Sequence, residues 1–386
     1  MTTGDESPRI GIAMIARNAE DLMPLALDPL KEHVDAIAIV LGGESSDSTP
    51  ELAEQYATLP VEPFNGPIDE DGRLLSFAMA RNQSFDILRR AGVEYAMVVD
   101  TDDNWEGCTN LKTVLGQMHK GGFPMCLFPY TYQDGRFYQP RIYRVDSGQW
   151  EGPCHNFWEL NGGPRHALQT DMLTVYQERP ESHANDRRWQ NIRISEHWMA
   201  ENGDNCRLLQ HMAKDLLVDR EFDKARDALE RYFTRYDEEQ RQDPEEYYQA
   251  LHTLAAIDIM AGHYAESLTG AFKALTVRQH GQSWALAAEA ALMMARSGLS
   301  DRPLLQLAVF CADQAINVGK PRQNLHWHSD KLAGGIPLIL KARALIGLGM
   351  HRDAMGTLDL AQMVDPNDEE AHKIQKELAR MLGELA

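Results

Sequence analysis

Several things are scarce in this chain, and each scarcity excludes a class of protein. Cysteine is one: there are five, Cys108, Cys126, Cys154, Cys206 and Cys311, odd in number and without a CxxC pair. That argues against a disulfide framework and against a thiolate zinc site, and it fits a reducing cytoplasm. Long apolar runs are missing too. No stretch approaches the roughly 20 residues that cross a bilayer. The opening MTTGDESPR is polar and acidic, without the apolar core of a leader, so neither a signal peptide nor a membrane anchor is expected. Basic residues are outnumbered, 38 against 58 acidic, for a formal net charge of -20. Nucleic acid and anionic membrane are therefore poor partners unless a local basic patch exists. What remains is 386 residues with 43% hydrophobic content, enough for two or three folded domains.

The stretch Glu94 to Trp105, EYAMVVDTDDNW, carries the most chemistry. Tyr95 to Val99 reads as a buried strand, and Asp100, Thr101, Asp102 and Asp103 follow without a turn residue. Clustered carboxylates at a strand's C-terminal end are hard oxygen donors that suit Mg²⁺ or Mn²⁺, ions that commonly bridge to substrate phosphates. The plainer alternative is a polar loop with Asp103 as a turn or cap residue.

Two further strands precede it, Ile10 to Ala16 (IGIAMIA) and Ala36 to Leu41 (AIAIVL). A helical pattern from Leu22 to His33 follows the first. The turn Gly42 to Thr49 and a helix from Pro50 follow the second. Strand–helix alternation predicts an α/β parallel sheet, whose ligands sit outside the carboxyl ends of the strands. Arg17-Asn18, the loop holding Gly43 and Glu44, and Asp100–Thr101–Asp102 all fall at that edge. From about Gly203 to Ala386 strand patterns vanish. A helix end, a tight turn and a new helix recur around Phe222, Tyr264, Gly298 and His351, which predicts stacked helix pairs. Arg179 to Asn202 reads as a polar, basic, flexible lid entering a helix, or as a solvated linker between the two halves. Expected boundaries are 1–178, 179–202 and 203–386. An insertion near Lys320 to Gly335 holds His326-Trp327-His328, which reads as an acceptor contact or as a loop anchored by its tryptophan.

Five blocks between Ile10 and Glu159 resemble, in order, the inverting GT-A glycosyltransferases of family 2: IAMIARNAEDLMPLAL, VLGGESSDST, SFAMARN, DTDD and QPRIYRVDSGQWEGPCHNFWE. The helical half resembles tetratricopeptide repeats, and a subgroup of that family carries such a tail. The resemblance implies an α/β GT-A, Rossmann-like nucleotide-sugar-binding domain followed by an all-α tetratricopeptide-like domain. It implies a metal-dependent, inverting hexosyl transfer from a nucleotide-diphosphate sugar, a UDP-sugar in the first instance, to a peptide, protein or glycan acceptor. Ala16, Arg17 and Asn18 would contact the base, with Gly43 and Glu44 close by. Asp100 and Thr101 would lie at the ribose or the ion's water shell. Asp102 would hold Mn²⁺ or Mg²⁺, with His155 as a second ligand or diphosphate contact. Arg81, His183 and Arg187 would meet the diphosphate. The pattern departs at Gly42, where Glu44 two positions on would take over the base or ribose contact, and at Asn156, where the family has a glutamate, so the general base is left among Glu151, Glu159 and Asp134. Arg81 as a surface residue and His155 as a structural histidine remain alternatives. So do a non-catalytic repeat scaffold with a degenerate transferase domain and a transferase acting on modified DNA. The aromatic residues from Phe123 to Trp158 would form either a sugar platform or the core of a mixed sheet.

Overall fold

The computed structural model describes residues 8–132, 135–162, 166–177, 181–239, 241–298, 301–319 and 334–383. The chain forms two compact units, Met1–Gly203 and Asp204–Ala386. Asp134 and His326-Trp327-His328 lie outside the described residues, as does the side chain of His183.

The first unit is built on the apolar runs. Strands β1 (Ile10–Ala16) and β2 (Ala36–Leu41) pair in parallel, and β4 (Tyr95–Val98) pairs in parallel on the other side of β1. Buried on both faces, these strands need no alternation of polar residues. The short β3 (Glu62–Pro63) extends the sheet beyond β2. On the far side the sheet becomes mixed. β7 (Gly135–Arg144) pairs antiparallel with β4 and with β6 (Met125–Tyr132). β11 (Thr174–Gln177) joins β6, and β5 (Asp103–Glu106) closes the edge against β11. A separate hairpin pairs β8 (Gly148–Glu151) with β9 (Phe157–Leu160), and β10 (Leu168–Gln169) pairs with β6.

Helices cover the sheet. The pattern expected to be one helix from Leu22 to His33 is α1 (Met23–Leu27) followed by a 3₁₀ turn at Lys31–His33. Pro29 lacks the N–H that would reach back to Leu25, so the helix stops short of it. α2 spans Thr49–Tyr56, and α3 spans Phe77–Arg90 behind a Ser76 cap whose Oγ accepts from the Met79 N–H. α3 lies tightly on β1: a Cβ at Gly11 would stand 2.5 Å from a Leu88 methyl. α4 spans Leu111–Gly121. One aromatic residue from each of β7, β8 and β9 is core. Tyr143, Trp150 and Trp158 surround Phe85 of α3, with ring centroids 5.0 to 6.2 Å from it. They are therefore not an exposed sugar platform.

The stretch expected to be a lid entering a helix is already helical at Glu181 and belongs to the first unit as α5 (Glu181–Asn202). Arg193 pairs with Asp71 at 2.9 Å and with Asp69 at 3.5 Å. Ser195 Oγ lies 3.2 Å from Cys154 Sγ, and both residues are buried.

The second unit is all helical over its described residues: α6 (Cys206–Val218), α7 (Phe222–Glu238), α8 (Pro244–Met260), α9 (Tyr264–Val277), α10 (Gly281–Arg296), α11 (Asp301–Val318), α12 (Gly335–Gly347), α13 (His351–Val364) and α14 (Glu369–Met381). Alanines such as Ala255, Ala271, Ala287 and Ala288 make its core. A Cβ at Gly270 of α9 would meet that of Ala255 of α8 at 3.1 Å, so small residues set how near these helices come.

Three of its turns share one construction. The N–H groups of Glu221, His263 and Met350 each donate five residues back, to the carbonyls of Leu216, Asp258 and Leu345. The residue before each donor is left-handed: Arg220 (φ 60), Gly262 (φ 83) and Gly349 (φ 76). This is the Schellman closure of a helix, which favours glycine. Arg220 performs a glycine's task with a Cβ. Arg220→Gly is expected to raise stability by roughly 0.5–1 kcal/mol, while Gly262→Ala lowers it by about 1 kcal/mol. Urea unfolding of the full chain, following helix content, reads both.

Candidate functional site

The carboxyl ends of β1, β2 and β4 meet at a cleft of about 290 Å³, lined among others by Arg17, Asn18, Arg73, Phe77, Arg81, Asp100, Thr101, Asp102, Arg187 and Gln190. Its geometry begins with the two loops after β1 and β2, which clasp each other. The Asn18 carboxamide oxygen accepts from the Ser46 N–H at 2.8 Å, and Ser45 Oγ accepts from the Asn18 N–H at 3.2 Å. Thr49 Oγ1 accepts from Ala19, Glu20 and Asp47 each accept from the opposite loop's backbone, and Arg17 Nε donates to the Glu44 carbonyl at 3.0 Å. Asn18 is held left-handed at φ 47. Gly43 has φ 128, and a Cβ there would stand 1.9 Å from the Gly72 carbonyl oxygen, so only glycine fits this crossing. The Glu44 side chain is exposed and does not line the cleft. Ala16 is buried at the end of β1.

The floor is a network of charges. Asp100 accepts from Arg81 Nη2 and from Arg141 Nη1, both at 3.1 Å. Arg141 also donates to Asp103 at 3.2 Å, and Asp103 accepts from the Asp100 N–H at 2.9 Å. Arg81 donates its other nitrogen to the Asn156 carboxamide at 2.7 Å, and its guanidinium lies 4.8 Å from the Trp150 ring centroid. Asn82, next in sequence, exchanges two hydrogen bonds with the Trp150 backbone and so fixes β8 beside Arg81. Asp102 accepts from Gln177 at 2.8 Å on one oxygen, and Arg187 Nη1 lies 3.8 Å from the other.

These contacts set the ionisation. Burial works against the Asp100 carboxylate, but Arg141, Arg81 and Arg187 overcome it and hold its pKa far below the ordinary value. Asp103 is pushed up to about 7: burial dominates, and the charges of Asp100 and Asp102 add to it against the pull of Arg141. Burial also disfavours the Arg187 cation, yet Asp100 and Asp102 outweigh it and raise its pKa.

Asp100, Asp102 and Asp103 can bring one oxygen each within 4.8 Å of one another, and among the described residues no other group of this kind occurs. Asp103 is 1% exposed and lies behind the cleft, so Asp100 and Asp102 are the carboxylates that face it. Their hard oxygens fit Mg²⁺ or Mn²⁺ held through one or two carboxylates with the remaining positions left to water and phosphate.

Of the residues expected from sequence, Arg17, Asn18, Arg81, Asp100, Thr101, Asp102 and Arg187 converge on this cleft. His155 does not line it and is outside the carboxylate group; it sits at φ 46 beside Asn156. Glu151 and Glu159 lie on the face of the β8–β9 hairpin opposite Trp150 and Trp158, and neither lines the cleft. Arg141, Gln177 and the buried role of Asp103 were not anticipated. Arg141 stands between Pro140 and Ile142 in the quoted QPRIYR block, and a charge between two apolar strand residues was the available signal.

No family model matches the chain, and no curated protein matches it. Solved structures do. A thermophilic tetratricopeptide repeat protein of Thermus thermophilus is 17% identical, covering 46% of this chain and 84% of its own at TM-score 0.36. YrrB, a tetratricopeptide protein with an unusual peptide-binding site, is 12% identical over 49% of this chain and 84% of its own, at 0.35. A repeat protein from Parabacteroides merdae is 12% identical over 52% of this chain and 69% of its own, at 0.37. At such scores these likenesses carry no argument about function.

The network sets a fully buried residue against one that lines the cleft. Arg141→Met should cost about 3–5 kcal/mol, because it leaves the fully buried Asp103 without its cation. Asp102→Ala takes a partner from Gln177 and from Arg187, which is itself 35% exposed, and should cost less, roughly 1–2 kcal/mol. Chemical denaturation of both variants measures the contrast.

Proposed function

We propose that this cleft binds a nucleotide-diphosphate sugar and that the protein is a metal-dependent glycosyltransferase. One observation carries the reading. On a chain with net charge -20, the cleft sets four arginines, Arg17, Arg73, Arg81 and Arg187, against two aspartates. Such a local excess of guanidinium at the carboxyl edge of a parallel sheet suits a diphosphate. The resemblance of the five sequence blocks to GT-A family 2 gives the group attached to it as a sugar, with UDP the first nucleotide to try.

In this reading Ile15, Leu22 and Phe77 offer the apolar surface beside the clasped loops, where a base can lie. Arg81, fixed by Asp100, Asn156 and Trp150, presents its charge to the phosphates without having to reorganise. Asp100 and Asp102 would hold Mn²⁺ or Mg²⁺, which when bound supplies Lewis-acid stabilisation of the departing diphosphate. The acceptor, a peptide, protein or glycan, is assigned to the helical repeats.

A screen of nucleotide sugars for slow hydrolysis in Mn²⁺ tests this without an acceptor. One donor is expected to release sugar, and Asp102→Ala should reduce that rate by roughly 10²-fold or more. If no nucleotide sugar is hydrolysed and calorimetry with UDP and Mn²⁺ shows no heat, the enzyme reading falls and a non-catalytic scaffold replaces it.

A further inference from the structure

The contact between Arg187 and Asp102 differs from the other ion pairs of the cleft floor. Arg81 and Arg141 hold Asp100 through hydrogen bonds of 3.1 Å. Arg187 Nη1 stands 3.8 Å from Asp102 Oδ2, beyond hydrogen-bond reach, so it is held there by charge alone. The Asp102 side chain is only 8% exposed. A carboxylate so poorly solvated is costly to leave without a positive neighbour. Arg187 comes from α5, which is fastened beside the cleft by Gln190 donating to the Leu74 carbonyl and by Arg193 on Asp69 and Asp71. Its guanidinium also lies 6.0 Å from the Phe77 ring centroid. An aromatic face within about 6 Å can support the cation away from Asp102.

Resting on the function proposed above, we infer that Arg187 is a built-in cation at Asp102, and that a divalent ion and Arg187 exclude each other there. A metal ion alone must displace Arg187 from Asp102 and leaves that guanidinium without its carboxylate. A metal ion arriving with a diphosphate does not, because the phosphate oxygens take over Arg187 as the ion takes over Asp102. Arg187 therefore sets the order of loading. The ion binds weakly by itself and tightly together with nucleoside diphosphate. No covalent step is involved, only an exchange of ionic partners.

The test uses the full chain, Mn²⁺ and UDP. Binding of Mn²⁺ alone is followed by the paramagnetic resonance of the free ion, and UDP binding by calorimetry with and without Mn²⁺. Arg187→Met should bind Mn²⁺ alone about tenfold more tightly than wild type, and the tightening of Mn²⁺ by UDP should shrink by a similar factor. Arg187→Lys, which keeps the charge, should stay close to wild type on both counts. Circular dichroism confirms that each variant is folded, and Arg187→Gln serves if the methionine variant is not. Unchanged or weaker Mn²⁺ binding in the neutral variants overturns the inference, as does Mn²⁺ binding to neither protein. A UDP titration without heat under any condition overturns the proposed function instead, and the Mn²⁺ comparison still decides the role of Arg187.

Discussion

Everything at the cleft depends on Arg141. Three carboxylates within four residues, Asp100, Asp102 and Asp103, repel one another, and a strand end alone cannot hold them together. Arg141 lies between two of them, 97% buried, and bonds to both Asp100 and Asp103. The antiparallel course of β7 beside β4 puts it there. Met97 faces Ile142, so the residue before Ile142 stands at the C-terminal end of β4, where the aspartates begin. A buried pair of this kind is weak support for overall stability, since both ions lose water, but removing one partner is severe. Its effect here is local. It fixes Asp100, and through Asp100 it fixes Arg81.

The parts legible in the sequence were those with a local signature. The runs IGIAMIA, AIAIVL and EYAMVV are strands because nothing polar interrupts them, and the polar clusters following them are the cleft edge. The glycines before Tyr264 and His351 mark real helix closures, and Arg220 shows that the closure survives without glycine. Long-range pairing was less legible. Gln177 reaches Asp102 across 75 residues, and Arg141 reaches Asp100 across 41. Neither pairing has a periodicity to betray it. α5 was legible only in part for a related reason. Its polar composition resembles a linker, but its arginines face Asp69, Asp71 and Asp102 of the same unit. Pro29, by contrast, is a local signal, and the first helix ends just before it.

The loops after β1 and β2 show how a motif can be correctly placed while its residues do other work. Asn18, Ser45, Ser46 and Asp47 spend their hydrogen bonds on each other's loops. Their polar character builds a rigid rim, and Gly43 lets the rim cross Gly72. A ligand would then meet the exposed edges of a pre-formed wall. Pre-organisation of that kind lowers the ordering cost of binding.

Position 156 has the widest consequence for its size. The family resembled here has a glutamate at this place, and this chain has Asn156, which accepts from Arg81 at 2.7 Å. A carboxylate in that position would give Arg81 a second anion in addition to Asp100, and the cleft would lose one unit of its positive excess. The carboxamide keeps the geometry, since its oxygen accepts the same hydrogen bond, but it leaves the guanidinium's charge directed at the cleft. Trp150 behind the guanidinium acts in the same sense, supporting a cation without neutralising it. Arg81 is thus held on three sides while only Asp100 offsets its charge. That arrangement leaves most of its charge available to an anion in the cleft, as the proposed function requires.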